Sequence, residues 1–166
     1  MRWYDPARET GAAAVEFALV MTILLPVMFG IIDYGLWFAD SLAVRHGVRE
    51  AARVGVVQSA ACTTGATDLA KLVCTTKQQV NGIGGTTYAM VRTPQGWARG
   101  KPLLVCAMVK ENGLTGLTPL PSDRLVRAKA ELAIEVDTPV PSGASATVAA
   151  SASDSPPTGA DWNWCT

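Results

Sequence analysis

The chain has 166 residues, 49% of them hydrophobic, with 14 Lys and Arg balancing 14 Asp and Glu. That balance lacks the basic excess expected of a nucleic-acid-binding protein. A single histidine, His46, and no Cys-x-x-Cys pair leave little from which to build a catalytic or metal site, so no enzyme, cofactor or metal is expected.

The first ten residues are short and mixed in charge, with Arg2 and Arg8 against Asp5 and Glu9. From Ala12 to Ile32 the only charge is Glu16. At about 1.5 Å per residue this run measures about 31 Å, close to the hydrocarbon thickness of a bilayer. A cleaved secretory signal is shorter and carries its small residues after the apolar stretch. Here Ala12, Ala13 and Ala14 come before it, which predicts a retained transmembrane helix over residues 12–32. Pro26 and Gly30 are tolerated within such a helix. A lone carboxylate in that setting is costly, so Glu16 is a functional candidate. The plainer account places it near the membrane face, reaching for the headgroups.

The helix is expected to continue to about residue 58. No proline occurs between Tyr34 and Val57, and the apolar residues keep a helical period. Gly35, Ala39, Ala43, Gly47, Ala51 and Gly55 recur every four residues, a ridge along which another backbone can approach closely. A second row, Arg45, Arg49 and Arg53, is read as a solvated charged face, with contact to acidic groups of a neighbour as the sharper alternative.

Four cysteines, Cys62, Cys74, Cys106 and Cys165, all follow the span. An even count without metal-ligand spacing fits two disulfides in an exported domain. Three connectivities are possible, and Cys62–Cys74 with Cys106–Cys165 is the expected one, since the latter ties the chain's last residues to the core. Thr67 is placed to cap a helix that runs to about Asn81, with Leu69, Leu72, Val73, Thr76 and Val80 on its inner face. Gly82-Ile83-Gly84-Gly85 breaks the chain and lacks the flanks of a phosphate loop. Strands are expected at Thr86–Arg92, at the apolar run Leu103–Val109, and over Val126–Val136, where apolar and charged residues alternate. The predicted class is α+β: a long N-terminal transmembrane and amphipathic helix, then a small disulfide-stapled domain in which a helix and an antiparallel sheet pack on the exported part of that helix. From Thr138 the Pro/Ser/Ala-rich tail is expected to be extended or flexible. Trp162 and Trp164 are expected to cover the sheet once Cys165 is pinned, and exposed aromatic contacts for a ligand are the alternative.

Gly11, four small or apolar residues and then Glu16-Phe17 resemble the leader junction of type IV pilins and pseudopilins. Phe29-Gly30-Ile31-Ile32-Asp33-Tyr34-Gly35 is similar to the Phe-Gly-Ile-Ile-Glu-Phe-Gly stretch of TadE-like proteins, minor pseudopilins of the tight-adherence (Tad/Flp) pilus. Val48-Arg49-Glu50-Ala51-Ala52-Arg53 is similar to their Ala-Arg-Glu-Gly-Ala-Arg segment. The resemblance covers residues 8–58 and departs at Asp33 for Glu and at Ala51 for Gly. It implies a cytoplasmic leader, residues 1–11, cut by a prepilin peptidase between Gly11 and Ala12. It implies that Glu16 and Phe17 set the register of assembly, with Glu16 pairing with the N-terminal amine of a neighbouring subunit. The implied partners are other pilins and pseudopilins, the peptidase, the assembly platform and the lipid bilayer. The implied location is the bacterial cytoplasmic membrane, single-pass, with residues 59–137 as the extracytoplasmic domain and 138–166 as its tail. A tethered binding module or adhesin, neither processed nor polymerised, is the competing class.

Overall fold

The computed structural model describes residues 7–59, 62–80, 85–111, 124–136 and 139–166. Leader residues 1–6, the Gly82–Gly84 break and the domain boundary near residues 137–138 lie outside these.

Helix α1 is continuous from Ala7 to Val56, with Pro26 inside it. It ends where Gln58 turns left-handed (φ 56°). Ser59 N–H then donates to the Val54 carbonyl and Gln58 N–H to the Gly55 carbonyl, which satisfies the final turn without a glycine at the reversal. The Gln58 side chain donates to the Pro139 carbonyl at 2.8 Å, so the stop is also a tether to the tail.

Helix α2 spans Asp68–Gln79. Thr67 Oγ1 accepts from Ala70 N–H at 3.2 Å, the expected N-cap. Leu69, Leu72, Val73, Thr76 and Val80 are buried as the helical period requires. Among the described residues four strands follow: β1 (Gly85–Thr93), β2 (Pro102–Glu111), β3 (Leu125–Ala133) and β4 (Ala150–Ser153). They form one antiparallel sheet in the order β3-β2-β1-β4.

The central strand explains its own composition. Leu103, Val105, Ala107 and Val109 join the core beneath α1 and α2, with Val44, Val48, Ala51, Leu69 and Leu72. Successive side chains alternate between faces, so Leu104, Cys106 and Met108 belong to the opposite face. They are buried as well. A strand covered on both sides reads as a continuous apolar run.

Two expectations need correction. Strand β3 ends at Ala133 rather than Val136, because its partner turns off at Lys101, whose N–H donates to the Ala98 carbonyl, and Val136 is already exposed. The tail is extended in part, as expected, and not flexible there. It supplies β4, which pairs with β1 at Met90–Thr93. It is also clamped to the start of α2, where Ser142 N–H and Oγ both donate to Asp68 Oδ2 at 2.9 Å and Asp68 N–H donates to Ser142 Oγ. The Ser142 backbone hydrogen bond, ahead of the Lys71 and Ser142 side-chain bonds, lowers the Asp68 carboxyl to about 2. Composition missed this because backbone pairing and polar clamps, not apolar mass, hold the segment.

Candidate assembly helix and its seat on the domain

The N-terminal part of α1 stands clear of the domain. Its most apolar window lies within Gly11–Val56 and has none of its residues buried in the protein. The Gly11–Ala12 junction lies inside the helix, with open space around Gly11. Glu16 is exposed and Phe17 is 62% exposed. Among the described residues Glu16 has no ion-pair partner. Among the described residues one helix is therefore long and apolar enough to cross a membrane, and it carries an exposed carboxylate near its start.

The small-residue ridge divides into two halves with different neighbours. A Cβ at Gly47 would lie 2.4 Å from the Gln79 carbonyl oxygen and 2.7 Å from Val80 Cα, so the backbone that approaches there is the chain's own α2. Ala51 is fully buried, and a Cβ at Gly55 would meet Leu72 and Leu103 at 2.8 Å. Gly47, Ala51 and Gly55 thus serve the fold and are not free for another helix. Gly35 is exposed, with nothing among the described residues within 4 Å of an added Cβ, and Ala39 and Ala43 are only half-buried.

The side of α1 turned to the domain carries Asp33, Asp40 and Val44, all buried, with Trp37 half-buried among them. The opposite side carries Phe38 and Leu42, 60% and 43% exposed, and then the arginine row. His46 sits on this exposed side, away from the core. Arg53 lies 3.7 Å from Glu50, both largely solvated. Sequence reasoning passed over the acids. Their spacing of seven, in register with Val44 and Ala51, was the available signal for a domain-facing stripe.

Asp40 meets Glu111, the last residue of β2. Both are buried and share a side-chain hydrogen bond, and Glu111 Oε1 has no hydrogen-bond partner among the described residues. Burial, and then the hydrogen bond and charge of Asp40, push the Glu111 carboxyl from 4.5 up to about 7. Between these values the folded protein keeps a proton that the unfolded chain has released. Stability is therefore expected to be full below about pH 4.5, to fall by about 1–2 kcal/mol as pH rises to about 7, and then to level off. Urea unfolding of the full chain in detergent across pH 4.5–8 measures this slope. Glu111→Gln, which donates the same hydrogen bond without charge, should flatten it.

Cys62 is bonded to Cys74 and Cys106 to Cys165. The second bridge draws the chain's end onto the sheet face opposite the helices. Lys129 donates to the Thr166 carbonyl at 2.8 Å, and the Arg127 guanidinium lies 6.0 Å from the Trp164 ring centre. Trp162 Nε1 donates to the Asp154 carbonyl and Trp164 Nε1 to the Asp161 carbonyl. Both indoles are half-buried and held, consistent with a covering role. Among the described residues no group of three or more His, Cys, Asp or Glu side chains is placed to hold a metal.

No curated protein and no solved structure matches this chain. A family model does: that of TadE-like protein matches residues 11–53, from the glycine ahead of the apolar run to the third arginine of the basic row.

Proposed function

We propose that the chain is a minor pseudopilin that takes part in assembling a Tad/Flp-type surface pilus and so in surface attachment. The observation that carries this reading is the coincidence of the family match with the bare part of α1. The matched segment starts at Gly11 and includes Glu16 on an exposed apolar helix. A prepilin peptidase removes residues 1–11, and the mature chain begins at Ala12 with a free amine. Glu16 then pairs across subunits with such an amine. Two opposite charges brought together in a low-dielectric site offset the cost of burying either alone.

The test is the intact mass and N-terminal sequence of the membrane-expressed protein, with and without a cognate prepilin peptidase. A chain starting at Ala12 only in the presence of the peptidase is the expected result. A persistent Met1 start, beside a control pilin that is cleaved, overturns the proposal in favour of a tethered binding module. Glu16→Ala is expected to leave folding and export unchanged and to abolish incorporation into the filament, read by immunoblot of sheared pili. Normal incorporation would remove the register role.

A further inference from the structure

The sheet face opposite the helices gathers charge around one sulfur. Cys106 lies in the middle of β2, with Lys129 of β3 and Met90 of β1 directly opposite it in register. Opposed residues point to the same face with Cβ atoms about 5 Å apart, and diagonal ones lie about 7–8 Å away. The diagonals are Arg127 and Glu131 on β3 and Tyr88 and Arg92 on β1. Cys106 therefore faces three cations and one anion, and Lys129 is the nearest of them. Beyond Met90, β4 brings only Ser153. On the tail the charge nearest Cys165 in sequence is Asp161, whose carboxylate already accepts from Asn163 N–H and Nδ2.

A second observation concerns height. Cysteine is short, and the side chains around it on that face are Leu104, Met108, Met90 and Lys129. The Cys106 sulfur sits at the floor of a well, and in the closed protein the residue is fully buried. Cys165 differs on both counts. It lies on the tail beyond β4, between Trp164 and Thr166, with no charge beside it.

A cysteine reacts as its thiolate, and a neighbouring cation favours that form. Strands β1 to β3 are held by α1 and α2 on their other face, so the cations surround Cys106 before the tail closes. An oxidant can load onto Cys106 or onto Cys165. Exchange needs access to the sulfur attacked, which the well denies at Cys106 and the tail allows at Cys165.

We infer that Lys129 activates Cys106 for closing the Cys106–Cys165 bridge, and that the oxidant, a protein or small-molecule disulfide, loads onto Cys165. In the first step the Cys165 thiolate, its proton lost to solvent, attacks the oxidant's disulfide. A mixed disulfide forms and one oxidant thiolate leaves. In the second step the Cys106 thiolate, its proton also lost to solvent, attacks Cys165 Sγ. The Cys106–Cys165 bond forms, the bond from Cys165 to the oxidant breaks, and the second oxidant thiolate leaves. The two cysteines have given up two protons and two electrons, and the oxidant has become two thiols. With the thiolate charge gone, its cations find new partners on the tail: Lys129 donates to the Thr166 carbonyl at 2.8 Å, and Arg127 lies over the Trp164 ring. This needs an oxidising compartment but not removal of residues 1–11, so it stands apart from the pseudopilin reading.

The test uses the full chain in detergent, reduced and then exposed to oxidised glutathione. Samples are quenched with acid, and mass spectrometry of the cysteine peptides separates this bridge from Cys62–Cys74. The expected intermediate carries glutathione on Cys165. The measured rate is its conversion to the bridge. The ratio of the wild-type rate to that of Lys129→Gln should fall about tenfold between pH 6.5 and pH 9.5, because ionisation stops limiting either protein at the upper value. Lys129→Arg should match the wild type. A residue that only held Thr166 or the fold would slow closure by the same factor at every pH. A flat ratio, a Lys129→Arg rate as slow as that of Lys129→Gln, or glutathione found on Cys106 in place of Cys165 overturns the inference. The wild-type profile is a second measurement that needs no variant. Its midpoint should lie below about pH 8.5, the ordinary thiol value, and a midpoint at or above it also overturns the inference.

Discussion

Replacing Cys106 and Cys165 together by alanine and serine should lower the stability of the folded domain by about 4 kcal/mol. The bridge closes a separation of 59 residues, and the loop entropy it removes from the unfolded chain grows with the logarithm of that length. The same relation gives about 3 kcal/mol for Cys62–Cys74, whose separation is 12. The folded state adds to the difference. Cys106, Cys165 and Met108 are fully buried, and Leu104 nearly so, because the tail lies over that face of the sheet. Without the bridge the last turn keeps the Lys129–Thr166 hydrogen bond, the Arg127–Trp164 contact, the indole hydrogen bonds and its own backbone bond from Cys165 N–H to the Trp162 carbonyl. Urea titration of each double variant in detergent, followed by tryptophan fluorescence, measures both losses. Equal losses would mean that the tail keeps its place by pairing and polar contacts alone.

The second large effect turns on one atom. Gly47→Val should destabilise the protein by about 3 kcal/mol or more, because the obstruction is backbone: the carbonyl oxygen and carbon of Gln79 and the Cα of Val80. Flexible side chains can yield, but here the end of α2 must retreat from α1 and open the core around Val48, Leu72 and Val80. Gly35→Ala, on the same helix and in the same row, has open space and should be neutral or stabilising by up to about 1 kcal/mol. Thermal unfolding of the two variants side by side tests the contrast in sign. A harmless Gly47→Val would show that the contact between the two helices is not tight.

That contrast also marks how far the sequence could be read. The four-residue recurrence identified a ridge, and a row of small residues tells that a backbone comes near without telling whose. The answer needed α2, whose C-terminal end reaches Gly47 only once the sheet has placed it. Periodicity located α2, β1 and β3 because each has a buried face that alternates with a more exposed one, and β2 was legible as a continuous apolar run because both its faces are covered. It overran β3 because Ile134 stays apolar and buried although the partner strand turns off beside it at Lys101. It missed β4, four residues of Ala and Ser whose partners lie far away in sequence on β1. For the cysteines, spacing favoured disulfides over metal but allowed three pairings, and only the chain's return across the sheet distinguishes them. The Asp40–Glu111 contact was beyond reach for the same reason: nothing in either segment announces that a helix residue and a strand end meet 71 positions apart. The motif around Gly11 and Glu16 was legible because it is local.

Helix α1 has a mechanical consequence. It is one uninterrupted rod, and Val44, Val48, Ala51, Ala52 and Val56 near its end are part of the domain's own core. No linker intervenes between the anchoring shaft and the head it carries. A force drawn along the shaft arrives as shear on packed side chains spread over more than three turns, with no loop to take up slack. Shear across interlocked layers resists far better than peeling a strand from an edge, so the head is built to travel with its shaft under load.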